Sequence, residues 1–246
     1  MEPIDIFITS YLRQAYTEKT INYLHERTKY PFRLFVIDNG GNEEVLDEAL
    51  KQNKVFLVVR PSYNVGIHAA WNLALSMAES KYFITSDNDI YVPSLEPDWL
   101  SSMVAFMDQR HEYAAISLHP HVFVGAASVD PNDPEEVKER NMCGAVMRIM
   151  RTDMVRSVGG WEHVIRTSRN HEERTICGKL QEAGYKVGVA TRVRAWHPFG
   201  KEVGGNWGYP EHITPEMQGH NPALKEEVLR FDNMEAYDEK TWLPKS

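Results

Sequence analysis

The sequence is poor in the features that mark several large classes of protein. It has only two cysteines, Cys143 and Cys177, and without a CxxC spacing they predict buried thiols rather than a disulfide framework or a metal site. The first residues, MEPIDIFITSYLRQ, lack a basic region followed by an apolar one, so we expect no signal peptide and a mature chain that begins here. The longest uncharged stretch, 114–129, is too short and too polar to span a membrane. We therefore expect a soluble, cytoplasmic protein with no transmembrane segment.

Positive charge is also scarce. Among 246 residues there are 27 Lys and Arg against 35 Asp and Glu, a formal net charge of −8. This is the wrong sign for a surface that grips phosphate backbones, so no extended nucleic-acid binding is expected. A local pocket for one small phosphorylated ligand stays possible, because net charge does not describe a cleft.

What the sequence does contain is a regular alternation of strand and helix signals. Short β-branched or aromatic runs closed by polar residues predict strands at 4–9, 33–38, 55–60 and 82–87. Helical periodicity lies between them, at 17–27, at 43–52 and after Asn64, a good N-cap. The third helix is apolar nearly all round, which predicts that it is buried. This order predicts an α/β fold with a mostly parallel central sheet and helices on both faces.

The second half is less regular. Its patterns predict a helix at 98–110, a strand at 113–118, a mobile acidic surface loop at 129–139 and a strand at 145–150. A short helix at 152–158, a helix from Glu172 to Gly184 and a strand at 186–193 follow. We expect one chain-long domain rather than repeated units.

Polar residues follow the predicted strands at the places where an open α/β sheet binds ligands. Thr9 and Tyr11 follow the first strand and Asp38 ends the second, although the sequence DNGG there is also a generic turn. Asp87 and Asp89 follow the fourth strand, and two such carboxylates are hard oxygen ligands suited to Mg²⁺ or Mn²⁺ that also binds substrate phosphates. The order of these pieces makes this DxD a stronger signal than a lone one.

Taken together, the segments resemble a known family. FITSYLR, FVIDNGG, NVGIHAAWN and YFITSDND resemble the nucleotide-sugar half of family 2 glycosyltransferases of the GT-A fold. CGAVMRIMRTDMVRSVGGW and HEERTICGKLQEAGYKVGV resemble the acceptor-side half of that family. The resemblance implies a Rossmann-like GT-A domain over 1–246. Residues 1–95 would bind the nucleotide sugar, 96–200 would face the acceptor, and 201–246 would form a tail or lid.

The resemblance also implies roles for particular residues. Asp38 would contact the base or ribose, Asp87 the ribose and the metal, and Asp89 the metal beneath the diphosphate. Glu173 stands where the family usually has the catalytic Asp, and the choice of base between Glu173 and Glu172 is open, since helix-terminal carboxylates can also be structural. The remaining implied residues are those around the nucleotide, Thr9, Tyr11, Arg13, Asn64 and Gly66, and a late metal ligand, His197, which could instead be a structural histidine.

The implied activity is metal-dependent, inverting transfer of one sugar, a hexose, from a nucleoside diphosphate sugar to a hydroxyl acceptor. UDP is the expected nucleotide and Mn²⁺ or Mg²⁺ the expected ion; the acceptor could be a glycan, a lipid-linked sugar, a protein or a small molecule. The Gln-x-x-Arg-Trp motif of processive synthases is missing, which indicates a non-processive enzyme. One alternative is a sugar nucleotidyltransferase, which normally needs a Gly-rich phosphate loop that TSYLRQA lacks. Another is a catalytically idle domain of this fold that binds a glycan or partner.

Overall fold

The computed structural model describes residues 1–120, 130, 132–162, 172–197, 238 and 240–242. Within them the chain alternates strand and helix through its first half, as predicted. The elements are β1 (Ile4–Ser10), α1 (Gln14–Arg27), β2 (Phe32–Asp38), α2 (Glu43–Lys51), β3 (Leu57–Val59), α3 (Gly66–Met77), β4 (Tyr82–Asp87), α4 (Trp99–Gln109), β5 (Tyr113–Pro120), β6 (Val137–Glu139), β7 (Arg148–Arg151), α5 (Thr152–Ser157), α6 (Glu172–Glu182) and β8 (Lys186–Ala195).

The described strands form one sheet in the order β3-β2-β1-β4-β7-β5-β8-β6. The pairs β1–β2, β1–β4, β2–β3 and β5–β8 are parallel, whereas β7 is antiparallel to both β4 and β5. Because β4 and β5 both oppose β7, they run in the same direction. The carboxyl ends of β1 to β5 and of β8 therefore lie along one edge of the sheet, and the predicted mostly parallel α/β sheet is confirmed.

Helices cover both faces of this sheet. Side chains alternate along β1, so Ile6 and Ile8 join one buried cluster and Phe7 joins the other. Helices α1, α2 and α4 pack on the first cluster, and α3, α5 and α6 pack on the second. None of the helices in the described ranges has the length and apolar character of a membrane span.

The prediction for α3 is wrong in one respect. Ala70, Trp71 and Ala74 are buried against the sheet, but Ala69 is exposed and Leu73 is half-buried. The helix is an outer layer, so one side faces solvent despite its apolar composition. Its start also differs by one residue from the prediction. The helix begins at Gly66, and the Asn64 side chain accepts the backbone N–H of Gly66 at 2.9 Å.

The predicted acidic loop at 129–139 is also partly wrong, because residues 137–139 form strand β6. They pair antiparallel with β8, and the Val137 side chain is buried. With one apolar residue, this segment shows no alternation of apolar and polar residues that would predict a strand. It is a strand because it pairs with the edge of β8.

The two cysteines are buried, as predicted, and the fold brings them together. Cys143 precedes β7 and Cys177 lies on α6, with their Sγ atoms 3.7 Å apart. The predicted tail, 201–246, lies outside the described residues except for 238 and 240–242. Within that short piece, Trp242 is buried with its ring 5.5 Å from the ring of Trp196.

Candidate active site

The order of the strands changes direction between β1 and β4, which is where open α/β sheets bind ligands. Thr9 and Asp87 are register partners at this point. A cavity of about 240 Å³ opens beyond them. Seven of the residues predicted from the sequence line it, namely Thr9, Tyr11, Arg13, Asn64, Gly66, Asp87 and Asp89, together with Asn39, Ile67 and Asn88.

The loop after β1 has an unusual backbone. Leu12 and Arg13 have φ values of 55° and 63°, in the left-handed region that costs residues with a Cβ about 1–2 kcal/mol each. Two hydrogen bonds hold the turn: the Leu12 N–H donates to the Gly40 carbonyl at 2.8 Å, and the Asn88 side-chain amide donates to the Leu12 carbonyl at 3.1 Å. Strain of this kind collects at functional sites. The Arg13 side chain at this turn contacts Asp89.

Asp89 lies in a buried group of charges. Its carboxylate is 1% exposed; Oδ2 accepts a hydrogen bond from Arg13 Nη1 and lies 3.4 Å from His197 Nε2. Burial alone would raise the pKa of Asp89, but His197 and Arg13 outweigh it and lower the pKa to about 2. Burial would lower the pKa of His197, and its ion pair with Asp89 reverses this and raises it. Oδ1 of Asp89 is buried and has no hydrogen-bond partner among the residues that the structure describes.

Asp87 is half-buried beside this group. Its backbone N–H donates to the Ala145 carbonyl at 3.2 Å, which fixes the end of β4 against the segment before β7. Burial, and then the charge of Asp89, raise the pKa of Asp87 to about 7, and the charges of Glu173 and Glu172 add to the effect. Three other acidic side chains thus act on Asp87, and a cation bound there would relieve the repulsion.

The predicted metal ligands can be tested against this geometry. Across the described ranges, no three His, Cys, Asp or Glu side chains are arranged to hold a metal ion. His197 Nε2 lies 3.4 Å from Asp89 Oδ2, so two of the three predicted ligands are neighbours, and His197 as the third ligand stays a prediction. Asp87 and the unpartnered Oδ1 of Asp89 nevertheless fit Mg²⁺ or Mn²⁺, since such ions are commonly held by one or two carboxylates plus substrate phosphates.

Asp38 lies beside the cavity rather than on its wall. Oδ1 accepts the backbone N–H of Gly40 at 3.1 Å, and Oδ2 lies 3.7 Å from Arg60 Nε. Burial raises the pKa of Asp38. The cavity wall at the end of β2 is formed instead by Asn39, whose Oδ1 accepts the backbone N–H of Val65 at 3.2 Å.

The two candidate bases have different surroundings. Glu172 is 4% exposed, and its Oε2 accepts hydrogen bonds from Arg148 Nη2 at 3.0 Å and Trp161 Nε1 at 2.7 Å. Burial raises the pKa of Glu172, against the opposing charge of Arg148. Glu173, the next residue of α6, is half-buried and acts electrostatically on Asp87. The carboxylate of Glu172 is thus held by hydrogen bonds in the interior, and of the two glutamates only Glu173 is partly open to solvent.

Comparison with known proteins assigns the chain to a family. Residues 5–141, more than half of the chain, match the family model of glycosyl transferase family 2. The chain belongs to glycosyl transferase family 2. Over 124 residues it is 21% identical to an uncharacterized glycosyltransferase of Haemophilus influenzae, covering 49% of this chain and 38% of that protein.

Solved structures show the same fold for this family 2 chain. TarS of S. aureus, residues 1–349 in complex with UDP, is similar with a TM-score of 0.59 and 18% identity, over 79% of this chain and 60% of that one. The mannosyltransferase PcManGT of Pyrobaculum calidifontis, in complex with GDP-Man and Mn²⁺, is similar with a TM-score of 0.64 and 15% identity, over 81% and 57%. The chain spans less than two thirds of each of these relatives. The expected GT-A fold is confirmed.

Sequence reasoning missed one group of residues in this family 2 site. Arg148 and Trp161 donate hydrogen bonds to Glu172, Asn72 accepts the backbone N–H of Trp161, and no sequence pattern indicated these contacts. An arginine inside an apolar strand reads as an interruption. Only its pairing with a glutamate 24 positions later explains it.

Proposed function

We propose that this family 2 protein is a metal-dependent, inverting, non-processive hexosyltransferase. It would move one sugar from a nucleoside diphosphate, with UDP expected, to the hydroxyl of an acceptor. The observation that carries the proposal is the meeting of seven predicted residues, the DxD pair among them, in one cavity at the strand-order reversal. Glu173 lies near enough to act electrostatically on Asp87. The fold relatives TarS and PcManGT bind UDP and GDP-Man with Mn²⁺, respectively.

The donor would bind in the cavity beyond β1 to β4. Thr9, Tyr11, Asn64 and Gly66 would surround the nucleotide, and Asp38 would reach the base or ribose from beside the wall. Asp87 would contact the ribose and share the ion. The volume of about 240 Å³ suits part of a sugar nucleotide, with the rest extending over the open edge.

The diphosphate end of the donor would lie against Asp89. A divalent ion held there by Asp87 and Asp89 would neutralise the charge that develops on the leaving diphosphate. His197 as a third ligand stays a prediction, because it would first have to leave its ion pair with Asp89. Arg13, which already contacts Asp89, brings a second positive charge to the same place.

Glu173 would act as the general base. A partly open carboxylate within about 3 Å of the acceptor hydroxyl can take its proton as the oxygen attacks the anomeric carbon. Inversion occurs in one displacement, so no protein nucleophile is needed. The bonds made by Glu172 leave it the supporting neighbour rather than the base.

Three further expectations from the sequence stay proposals. They are the division of the chain into a donor half at 1–95, an acceptor half at 96–200 and a tail at 201–246, the cytoplasmic location, and an acceptor of unspecified class. No motif fixes the acceptor, and the fold alone does not supply it.

Calorimetric titration with UDP-, GDP- and dTDP-sugars, each with Mn²⁺ or Mg²⁺ and with EDTA, tests the proposal. We expect metal-dependent binding of UDP-sugars and slow release of UDP by hydrolysis. Asp89→Ala should abolish donor binding, whereas Asp153→Ala, an exposed acid on α5, should not. Failure of every sugar nucleotide to bind would refute the proposal, and donor binding without turnover would favour the idle binding domain.

A further inference from the structure

Arg148 is a fully buried charge that the proposed chemistry does not use. It is the first residue of β7, with no solvent exposure. Removing a guanidinium from water is costly, and apolar side chains in place of a whole buried ion pair are often equally stable. Its place in the sheet interior therefore calls for a reason beyond stability.

The guanidinium contacts three separate parts of the chain. Nε donates to Thr85 Oγ1 on β4 at 3.2 Å, Nη1 donates to the Cys143 carbonyl at 3.1 Å, and Nη2 donates to Glu172 Oε2 on α6 at 3.0 Å. A planar guanidinium presents its donors in a fixed fork, so these three acceptors are held at set distances from one another. Lysine could not do this.

Two of these contacts lie next to proposed site residues. Thr85 stands two residues before Asp87 on β4, and Glu172 stands directly before Glu173 on α6. We propose that Arg148 is a positioning residue that fixes Glu173 relative to the donor end of β4, acting through Glu172. The inference rests on the proposed function, in which Glu173 is the base.

A second set of bonds holds Glu172 from the other side. Trp161 Nε1 donates to the same Oε2 atom at 2.7 Å. Asn72 on α3 both donates to the Trp161 carbonyl and accepts its backbone N–H, each at 2.9 Å. The Glu172 side chain is therefore fixed by β7 and α3 together, and with it the first turn of α6.

This arrangement predicts that loss of the pair moves Glu173 without disturbing the donor cavity. None of Arg148, Glu172 and Trp161 lines that cavity. A displacement of about 1 Å at a reacting group can cost about 100-fold in rate. Turnover should fall while donor affinity does not change.

The informative variant replaces both charges. Arg148→Met alone leaves the Glu172 carboxylate buried and unpaired, and that protein could simply fail to fold. The double variant Arg148→Met with Glu172→Leu removes both charges and should unfold at nearly the wild-type urea concentration. Its probe is hydrolysis of UDP-glucose with Mn²⁺, or of the sugar nucleotide that the wild type turns over fastest, with water as acceptor. We expect a fall in kcat of about tenfold or more, with donor Kd within about twofold.

Two further measurements separate positioning from a merely structural role. In a Glu173→Gln background, the double replacement should lower kcat by less than about twofold, because changes that act through one group are not additive. Glu172→Gln keeps an acceptor for Arg148 and Trp161 but removes the counter-charge, so where urea unfolding shows that it folds, it should lose less turnover than the double variant. Arg148→Lys should rescue only part of the loss, since one ammonium cannot reach all three acceptors.

Wild-type turnover in the folded double variant would overturn the inference, as would a full multiplicative loss in the Glu173→Gln background. A wild-type protein that neither binds nor hydrolyses any sugar nucleotide would instead refute the proposed function, and the inference with it.

Discussion

Protonation of His119 should weaken the fold at mildly acidic pH. His119 is fully buried on β5, in register with Arg194 on β8. Burial lowers the pKa of His119 from 6.5 to about 4, and the charges of Arg194 and Arg140 act in the same direction. The folded protein therefore keeps this imidazole neutral at a pH where the unfolded chain would protonate it.

The sign and size follow from linkage. Between pH 6.5 and about 4 the unfolded chain binds more protons at this position, so the free energy of unfolding falls as the pH falls. Above pH 6.5 the neutral His119 costs the fold nothing, and the free energy of unfolding falls progressively as the pH drops towards 4. The difference between these pKa values corresponds to about 3 kcal/mol, a large part of a typical domain's stability.

Urea unfolding followed by tryptophan fluorescence, at several pH values from about 7.5 to 4.5, measures this effect. The wild type should lose about 2–3 kcal/mol more than His119→Gln over that range. His111→Gln, which alters an exposed histidine, serves as the control and should behave as the wild type. Equal pH slopes for the wild type and His119→Gln would refute the reasoning.

Two other predictions concern the base and the turn before it. Glu173→Gln should lower hydrolysis of the sugar nucleotide by about 10²–10⁴-fold with donor affinity unchanged, and Glu182→Gln on the same helix should not; equal losses would exclude Glu173 as the base. Gly159 and Gly160 have φ values of 76° and 65°. A Cβ added at Gly159 would have no atom within 4 Å, whereas a Cβ added at Gly160 would lie 2.5 Å from Asn72 Oδ1. Urea unfolding should show a loss of about 1–2 kcal/mol for Gly159→Ala and at least about 1 kcal/mol more for Gly160→Ala, and the reverse order would contradict the clash.

The sequence predicts the first half of the fold well, because each element there carries its own local signal. Strand β4 has the predicted bounds of 82–87, and α2 ends within one residue of its prediction. Strand β6 had no such signal, since residues 137–139 are ordered by pairing with β8, which lies about fifty positions further along. Exposure of one side of α3 was likewise set by the layer in which it packs.

The site divides in the same way. The ends of parallel strands share one edge of the sheet, so the sequence alone predicts that Thr9, Asn64 and Asp87 lie close together. The ion pairs of the site could not be predicted in this way, because each joins residues that are distant in sequence. Arg13 with Asp89 and Arg148 with Glu172 are 76 and 24 positions apart, and nothing local marks either pair.

The reversed direction of β7 has a consequence for how such a protein can diverge. The residues that line the cavity lie at the ends of β1 and β4 and in the segments that follow β1 to β4. Residues 143–147 instead lead into β7, and the carbonyls of Ala145 and Val146 accept the backbone N–H groups of Asp87 and Leu118. A one-residue insertion in that entering segment would slip the register of β7 and turn Arg148 to the opposite face. The segment before β7 is therefore confined to substitutions if Arg148 is to keep its contacts with Thr85 and Glu172.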